Sequence, residues 1–222
     1  PWKFKQKILK LMNPNLVDFM GIPMPKFRGG AHYTWMILNQ NFEGGCFIQN
    51  INEKTVQGSL DSGYYYYKTN YKYPKKLKYP KDFFKYSIKK EINFLKKFLE
   101  KIRNNTPFQL KKIDERISNF YPRLLNNKNG YINWNWIAKD VVNFINGFGD
   151  PYLGGICYFK REKFYLKEAK LLYKNNLHSL LSGTVIKKDK KNLYIQANKG
   201  VIEVNKIYNN NNINIISKFK VG

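Results

Sequence analysis

Cysteine is nearly absent: Cys46 and Cys157 are the two in 222 residues. Two thiols build neither a disulfide framework nor a cysteine-rich metal site, and they suit a reducing, cytoplasmic compartment. Histidine is as scarce, with His32 and His178 alone, and no His/Cys group has metal-ligand spacing. No metal is expected. No run approaches the roughly twenty apolar residues of a helical membrane span, so no membrane partner is expected. Neither a Walker-type loop nor a complete dinucleotide fingerprint is present. The chain opens on Pro1 without a secretory signal, as a processed or truncated product would.

What is abundant is positive charge. Forty basic residues against fifteen acidic leave +25, but only five of the forty are arginines. Residues 1–67 carry 7 basic and 4 acidic groups, residues 68–112 carry 15 and 3, and residues 113–222 carry 18 and 8. Such an excess suits a polyanion such as nucleic acid. Lysine with Asn, Ile, Tyr and Phe is equally the set an A+T-rich genome favours, and base readout would lean on Arg. The charge alone decides nothing. With 43% apolar and 17% aromatic residues, a packed core is assured.

Punctuation divides the chain. Phe4, Ile8, Leu11 and Met12 read as a short helix stopped at Asn13–Pro14, and Leu16–Met20 as a buried strand. Gly21–Gly30 (GIPMPKFRGG) holds two prolines and three glycines and reads as a loop. Ala31–Asn39 reads as helix, Gly45–Ile51 as strand, and Gly58–Gly63 as a turn into Tyr64–Tyr67. Asp82 caps a helix to about Ile102, with Phe84, Ile88, Ile92, Leu95, Leu99 and Ile102 as its buried face. Trp136–Asn146 is a further helix. Five short strands follow between Gly155 and Tyr208, a pattern of small barrels or sandwiches. Two adjacent strand–helix units imply a parallel sheet with ligands at the strand C-terminal ends, which points to Gly21–Gly30.

Several fragments, in order, resemble the folate-dependent formyltransferases. LVDFMGIPMPKFRGG (Leu16–Gly30) is similar to the family's loop, roughly Asn-x-His-x-Ser-Leu-Leu-Pro-x-x-Arg-Gly. Leu60-Asp61-Ser62-Gly63 resembles its Leu/Ile-Asp-Thr/Ser-Gly turn. Tyr121–Leu124, Ile132–Trp134, Val142–Phe148, Pro151–Gly155 and Ser182–Val185 resemble the linker and C-terminal domain of methionyl-tRNA and amino-sugar members. The resemblance implies an α/β chain with three parts. Residues 1–112 would be part of a Rossmann-like catalytic domain with a parallel sheet, its first strands preceding residue 1. Residues 113–208 would be an OB-like, barrel-like domain, and residues 209–222 a polar tail.

It also implies the chemistry: a formyl group passes from 10-formyltetrahydrofolate to a primary amine, with methionyl-tRNA favoured over an amino sugar by the basic C-terminal half. The family's catalytic Asn, His and Asp fall on Asp18, Met20 and Asp61, so two of three are substituted. A thioether exchanges no proton near neutral pH, and an ionised Asp18 repels a developing oxyanion. The competing reading is therefore a non-catalytic formyltransferase-like binding protein. His32, twelve residues past Met20, is a possible substitute. Pro25, Arg28, Gly29, Leu60 and Gly63 are the implied folate contacts, and Arg28 reads first as a clamp that holds the loop's shape. Tyr64–Tyr67 could stack a base or pterin, but strand alternation predicts two buried and two exposed rings. Trp134 and Trp136 read as domain-packing anchors, His178 as a loop residue, and Lys85, Lys89, Lys90, Lys96, Lys97 and Lys101 as a solvated face or a phosphate-tracking stripe.

Overall fold

The computed structural model describes residues 5–12, 16–51, 63–211 and 213–222. Leu60 and Asp61 lie outside them. The chain divides into two compact units: residues 1–32, 42–75 and 84–122 form the first, and residues 33–41, 76–83 and 123–222 the second.

The first unit is built on a four-stranded sheet in the order β1 (Val17–Met20), β3 (Glu43–Asn50), β4 (Tyr64–Lys72), β5 (Lys111–Lys112). Every pairing in it is antiparallel, which corrects the parallel sheet expected here. The reason is where the chain re-enters. After β1 it passes through β2 (Arg28–Gly29) and the seven-residue helix α2 (His32–Leu38), then returns at the end of the sheet where β1 left. No crossover is made, so β3 runs back along β1.

β3 is the central strand, and all its residues after Glu43 are buried. Such a strand reads as a near-continuous apolar run rather than an alternation. Cys46 and Ile48 face Phe94 and Phe98 of helix α3 (Pro80–Arg103), while Phe47 packs with Met24 and Ile113 on the other face. β4 departs from simple alternation. Gln49 pairs with Tyr65 and Ile48 with Tyr67, so Tyr66 is an extra residue at a bulge. Tyr65 lies 5.0 Å from the Phe47 ring, Tyr67 stacks at 4.9 Å on Phe94, and the Tyr66 hydroxyl accepts from Asn50 Nδ2 at 2.7 Å. Three of the four rings are thus committed to the sheet, and Tyr64 is the exposed one.

Helix α3 starts with Pro80 in the first turn, and the Asp82 carboxylate accepts the backbone N–H groups of Lys78 and Tyr79 at 3.3 and 3.2 Å. Its phase differs from the expected one. Phe83, Ser87, Phe94 and Phe98 are buried, whereas Phe84, Ile92, Leu99 and Ile102 are 49–60% exposed.

The second unit packs helix α5 (Ala138–Gly147) on a five-stranded antiparallel sheet, after the short helix α4 (Asn126–Asn129). The strand order is β7 (Gly155–Phe159), β8 (Glu162–Tyr173), β11 (Gly200–Tyr208), β10 (Leu193–Ala197), β9 (Val185–Lys188). Among the described residues no ladder joins β9 back to β7. Val141 and Ile145 of α5 meet Leu166, Ile195, Ile202 and Val204 in the core. Trp134 packs against this core and Trp136 lies edge-on to Phe144 at 5.1 Å, both within the second unit. The segment after Tyr208, expected as a polar tail, buries Ile215, Ile216 and Phe219 in the same cluster. The apolar residues beyond the Asn run supply that anchor.

Candidate active-site segment

β1 carries the two substituted positions. Asp18 and Met20 are two apart and share one face of the strand, while Phe19 points the other way onto Phe94 at 6.0 Å. Met20 packs with Met24, Phe47, Tyr65 and Ile113, so its thioether lies in apolar surroundings. Asp18 is directly opposite Gln49, which is fully buried, and Gln49 is opposite Tyr65 at the start of β4. Residues directly opposite share a face of the sheet. The carboxylate and a buried amide therefore lie side by side. The sequence reading missed Gln49, and the only available signal was a polar residue inside the apolar run GCFIQNI.

The loop after β1 is held by its own backbone. The peptide bond between Met24 and Pro25 is cis, and Pro25 is buried. Arg28 and Gly29 pair in parallel with Phe120 and Tyr121 of strand β6 (Phe120–Tyr121), and Arg28 N–H donates to Asn119 O at 3.0 Å. Gly29 has φ +108°, and a Cβ there would overlap the carbonyl oxygen of Tyr121. Only glycine fits. The Arg28 guanidinium is 3.9 Å from Glu115, with the arginine side chain 14% exposed. Arg28 thus ties the loop to the segment before β6. Gly63 (φ +95°) leads into β4, where its carbonyl accepts from Ile113 N–H at 2.8 Å.

His32 opens α2 and meets the Phe27 ring edge-on at 5.5 Å, while Phe27 stacks on Tyr121 at 5.8 Å. Burial lowers its imidazole from 6.5 to about 4. It is neutral at pH 7 rather than a cation. The sign of the linkage follows. A buried neutral histidine must be charged on acidification, so its full contribution holds above pH 6.5 and falls away as the pH drops towards 4. The loss is on the order of 3 kcal/mol at pH 4. His32→Phe is expected to flatten that part of the stability–pH curve, read by urea unfolding at pH 7 and 4.5. An unchanged slope would show that another group titrates there.

His178 caps the turn Ser179–Leu181, its Nδ1 accepting the Leu180 N–H at 3.1 Å on an exposed surface. Burial pushes both thiols up to about 12, with Glu91 adding at Cys46, so both stay protonated. Among the described residues no group of three His, Cys, Asp or Glu could hold a metal, and no helix is long and apolar enough to cross a membrane.

Residues 124–218 match the family model for the formyl transferase C-terminal domain. This match and the similarities below support the formyltransferase family for the chain. It is 24% identical over 207 residues to the methionyl-tRNA formyltransferase of Acetivibrio thermocellus, covering 91% of this chain and 62% of that protein. Its fold is similar to an N-formyltransferase from Helicobacter canadensis solved with folinic acid and dTDP-3-aminofucose. There the TM-score is 0.61 at 18% identity, over 88% of this chain and 67% of that one. HypX from Aquifex aeolicus, solved with tetrahydrofolic acid, gives 0.61 at 12% identity, over 87% and 32%. The chain thus spans less than two thirds of the A. thermocellus relative's length.

Proposed function

We propose that this chain takes part in transfer of a formyl group from 10-formyltetrahydrofolate to a primary amine, with methionyl-tRNA the favoured acceptor. The family match over residues 124–218 carries the reading, and the juxtaposition of Asp18 and Gln49 on one sheet face supports it. In the reaction the amine nitrogen attacks the formyl carbon, whose carbonyl becomes an oxyanion. The carbon–nitrogen bond to the folate then breaks, and a proton moves from the new ammonium centre to the leaving nitrogen. The Gln49 amide is a neutral N–H donor for the oxyanion, a role Asp18 cannot fill while ionised. Asp18 can instead accept the amine proton. Asp61 is the implied orienting carboxylate, Leu60 and Gly63 flank it, and Pro25, Arg28 and Gly29 shape the wall. The same reading takes residues 1–112 as a partial Rossmann-like domain, residues 113–208 as an OB-like one, and the setting as cytoplasmic.

A second reading is favoured by one observation. Met20 sits in a mainly apolar cluster and its thioether carries no exchangeable proton, so the position of the family's histidine has no proton to give. A protein of that kind would bind folate or RNA without turnover. The assay that separates them supplies 10-formyltetrahydrofolate with methionyl-tRNA, and in parallel with an amino sugar nucleotide. Formylation of methionyl-tRNA above the enzyme-free rate, with RNA affinity falling steeply as salt rises, is the expected result. A rate equal to the blank for every acceptor overturns transfer, and activity on the sugar alone moves the acceptor.

A further inference from the structure

The first unit holds a second polar concavity, on the same sheet face as Asp18 but at the other end. β4 places Lys68, Asn70 and Lys72 two apart, hence on one face, opposite Phe47, Gly45 and Glu43 of β3. Lys26 reaches over from the loop and pairs with Glu43 at 3.2 Å. These residues, with Met24 and Tyr71 among the walls, line a cavity of about 390 Å³. Gly45, opposite Asn70, is four strand steps from Gln49, about 13 Å along β3. Lys68, opposite Phe47 and two steps from Gln49, is its near edge, so the concavity is centred beyond the Asp18–Gln49 pair.

Its electrostatics are one-sided. Three lysines and one glutamate are among the residues lining it, a local excess of two positive charges. Glu43 offsets only one of them, through Lys26 and as the register partner of Lys72. Lys68 is steadied by the Tyr65 ring, 5.0 Å from its Nζ. A strand fixes the spacing of Lys68 and Lys72 more firmly than a loop could. Lysine ammonium groups act as point charges, the way lysine holds phosphate, and a local excess of two matches the charge of a phosphate monoester near neutral pH; no arginine lines the space. The volume exceeds that of a bare phosphate and falls in the range of small-ligand sites. Pro23, Met24 and Tyr71 give an organic substituent somewhere to lie.

We propose that this cavity binds a small phosphate-bearing dianion through Lys26, Lys68 and Lys72, with Asn70 as a neutral donor. The site does not depend on formyl transfer, so a protein inactive in that assay still tests it.

The test is calorimetric titration of the whole chain with inorganic pyrophosphate and with glycerol 3-phosphate at low salt. One saturable site is expected, weakened at least tenfold in K68Q/K72Q and unchanged in K89Q/K96Q, which removes two amines from helix α3. K68R/K72R retains binding, separating charge from sheet integrity. Lys26→Gln, a loop substitution, gives a second reading should the strand variant unfold. Absence of a saturable site overturns the proposal, as does equal weakening in both glutamine pairs, the signature of diffuse attraction to a chain of +25. A single-stranded RNA that displaces pyrophosphate competitively while itself requiring Lys68 and Lys72 overturns the small-ligand assignment.

Discussion

Replacing Asp18 by Asn and Met20 by His together is expected to raise formyl transfer by about two to four orders of magnitude, the usual worth of general acid–base participation. The two positions share a face of β1, so both new side chains enter the same space as Gln49. Asn removes a charge that opposes the oxyanion and adds a second amide donor beside Gln49. His brings a titratable ring into the apolar cluster of Met24, Phe47 and Tyr65, where desolvation lowers its pKa and favours the neutral base. Single variants are expected to gain less than the pair, because Met20→His alone leaves the Asp18 charge against the oxyanion, and Asp18→Asn alone removes the proton acceptor without replacing it. The measurement is kcat/KM with 10-formyltetrahydrofolate and methionyl-tRNA for all four proteins. If the pair gains nothing over the natural chain, β1 does not border the reacting carbon. If the natural chain is already as fast as the pair, Met20 costs nothing and the non-catalytic reading is lost.

The parts of this fold written in local pattern were legible. Turn residues bracket the strands of the second unit, so the five expected between Gly155 and Tyr208 are found there, from β7 at Gly155 to β11 ending at Tyr208. Helix α3 was legible as a helix but not in phase. Apolar residues recur at three-and-four spacing on two adjacent stripes, and the buried one contains Ser87, which disguises it. The antiparallel sheet was hidden because strand direction depends on where a connection returns, and no residue in 21–42 encodes that. The Tyr66 bulge was hidden for a similar reason: an extra residue is visible only against its partner strand. At the candidate site, Asp18 and Met20 were found through the loop motif. Gln49 was not, since a buried amide becomes meaningful only once the register sets it beside Asp18.

Asn146 shows the same limit in the second unit, and carries the largest stability effect expected there. β7 pairs with β8 only over residues 162–166, so among the described residues that side of β8 has no strand neighbour beyond Leu166. Asn146, in the last turn of α5, fills the gap. Its Oδ1 accepts the Ala169 N–H and its Nδ2 donates to the Ala169 carbonyl, each at 3.0 Å. One side-chain amide thus reproduces the two bonds of a missing ladder rung, buried beside the core of Val141, Ile145 and Ala169. Asn146→Ala removes both bonds and strands two buried backbone groups, a cost of about 2–5 kcal/mol. Asn146→Asp, nearly isosteric, still accepts from the N–H but turns a carboxylate on the carbonyl, so it is expected to be no better than alanine at pH 7. Asn146→Gln keeps both functions on a stem too long for the gap. Urea unfolding of the three variants gives the size of the loss, and amide exchange at Ala169 assigns it to this rung. Protection at Ala169 that survives in Asn146→Ala would mean that water or a shifted β7 takes over the bonds, and that the helix is held to β8 by apolar contact alone.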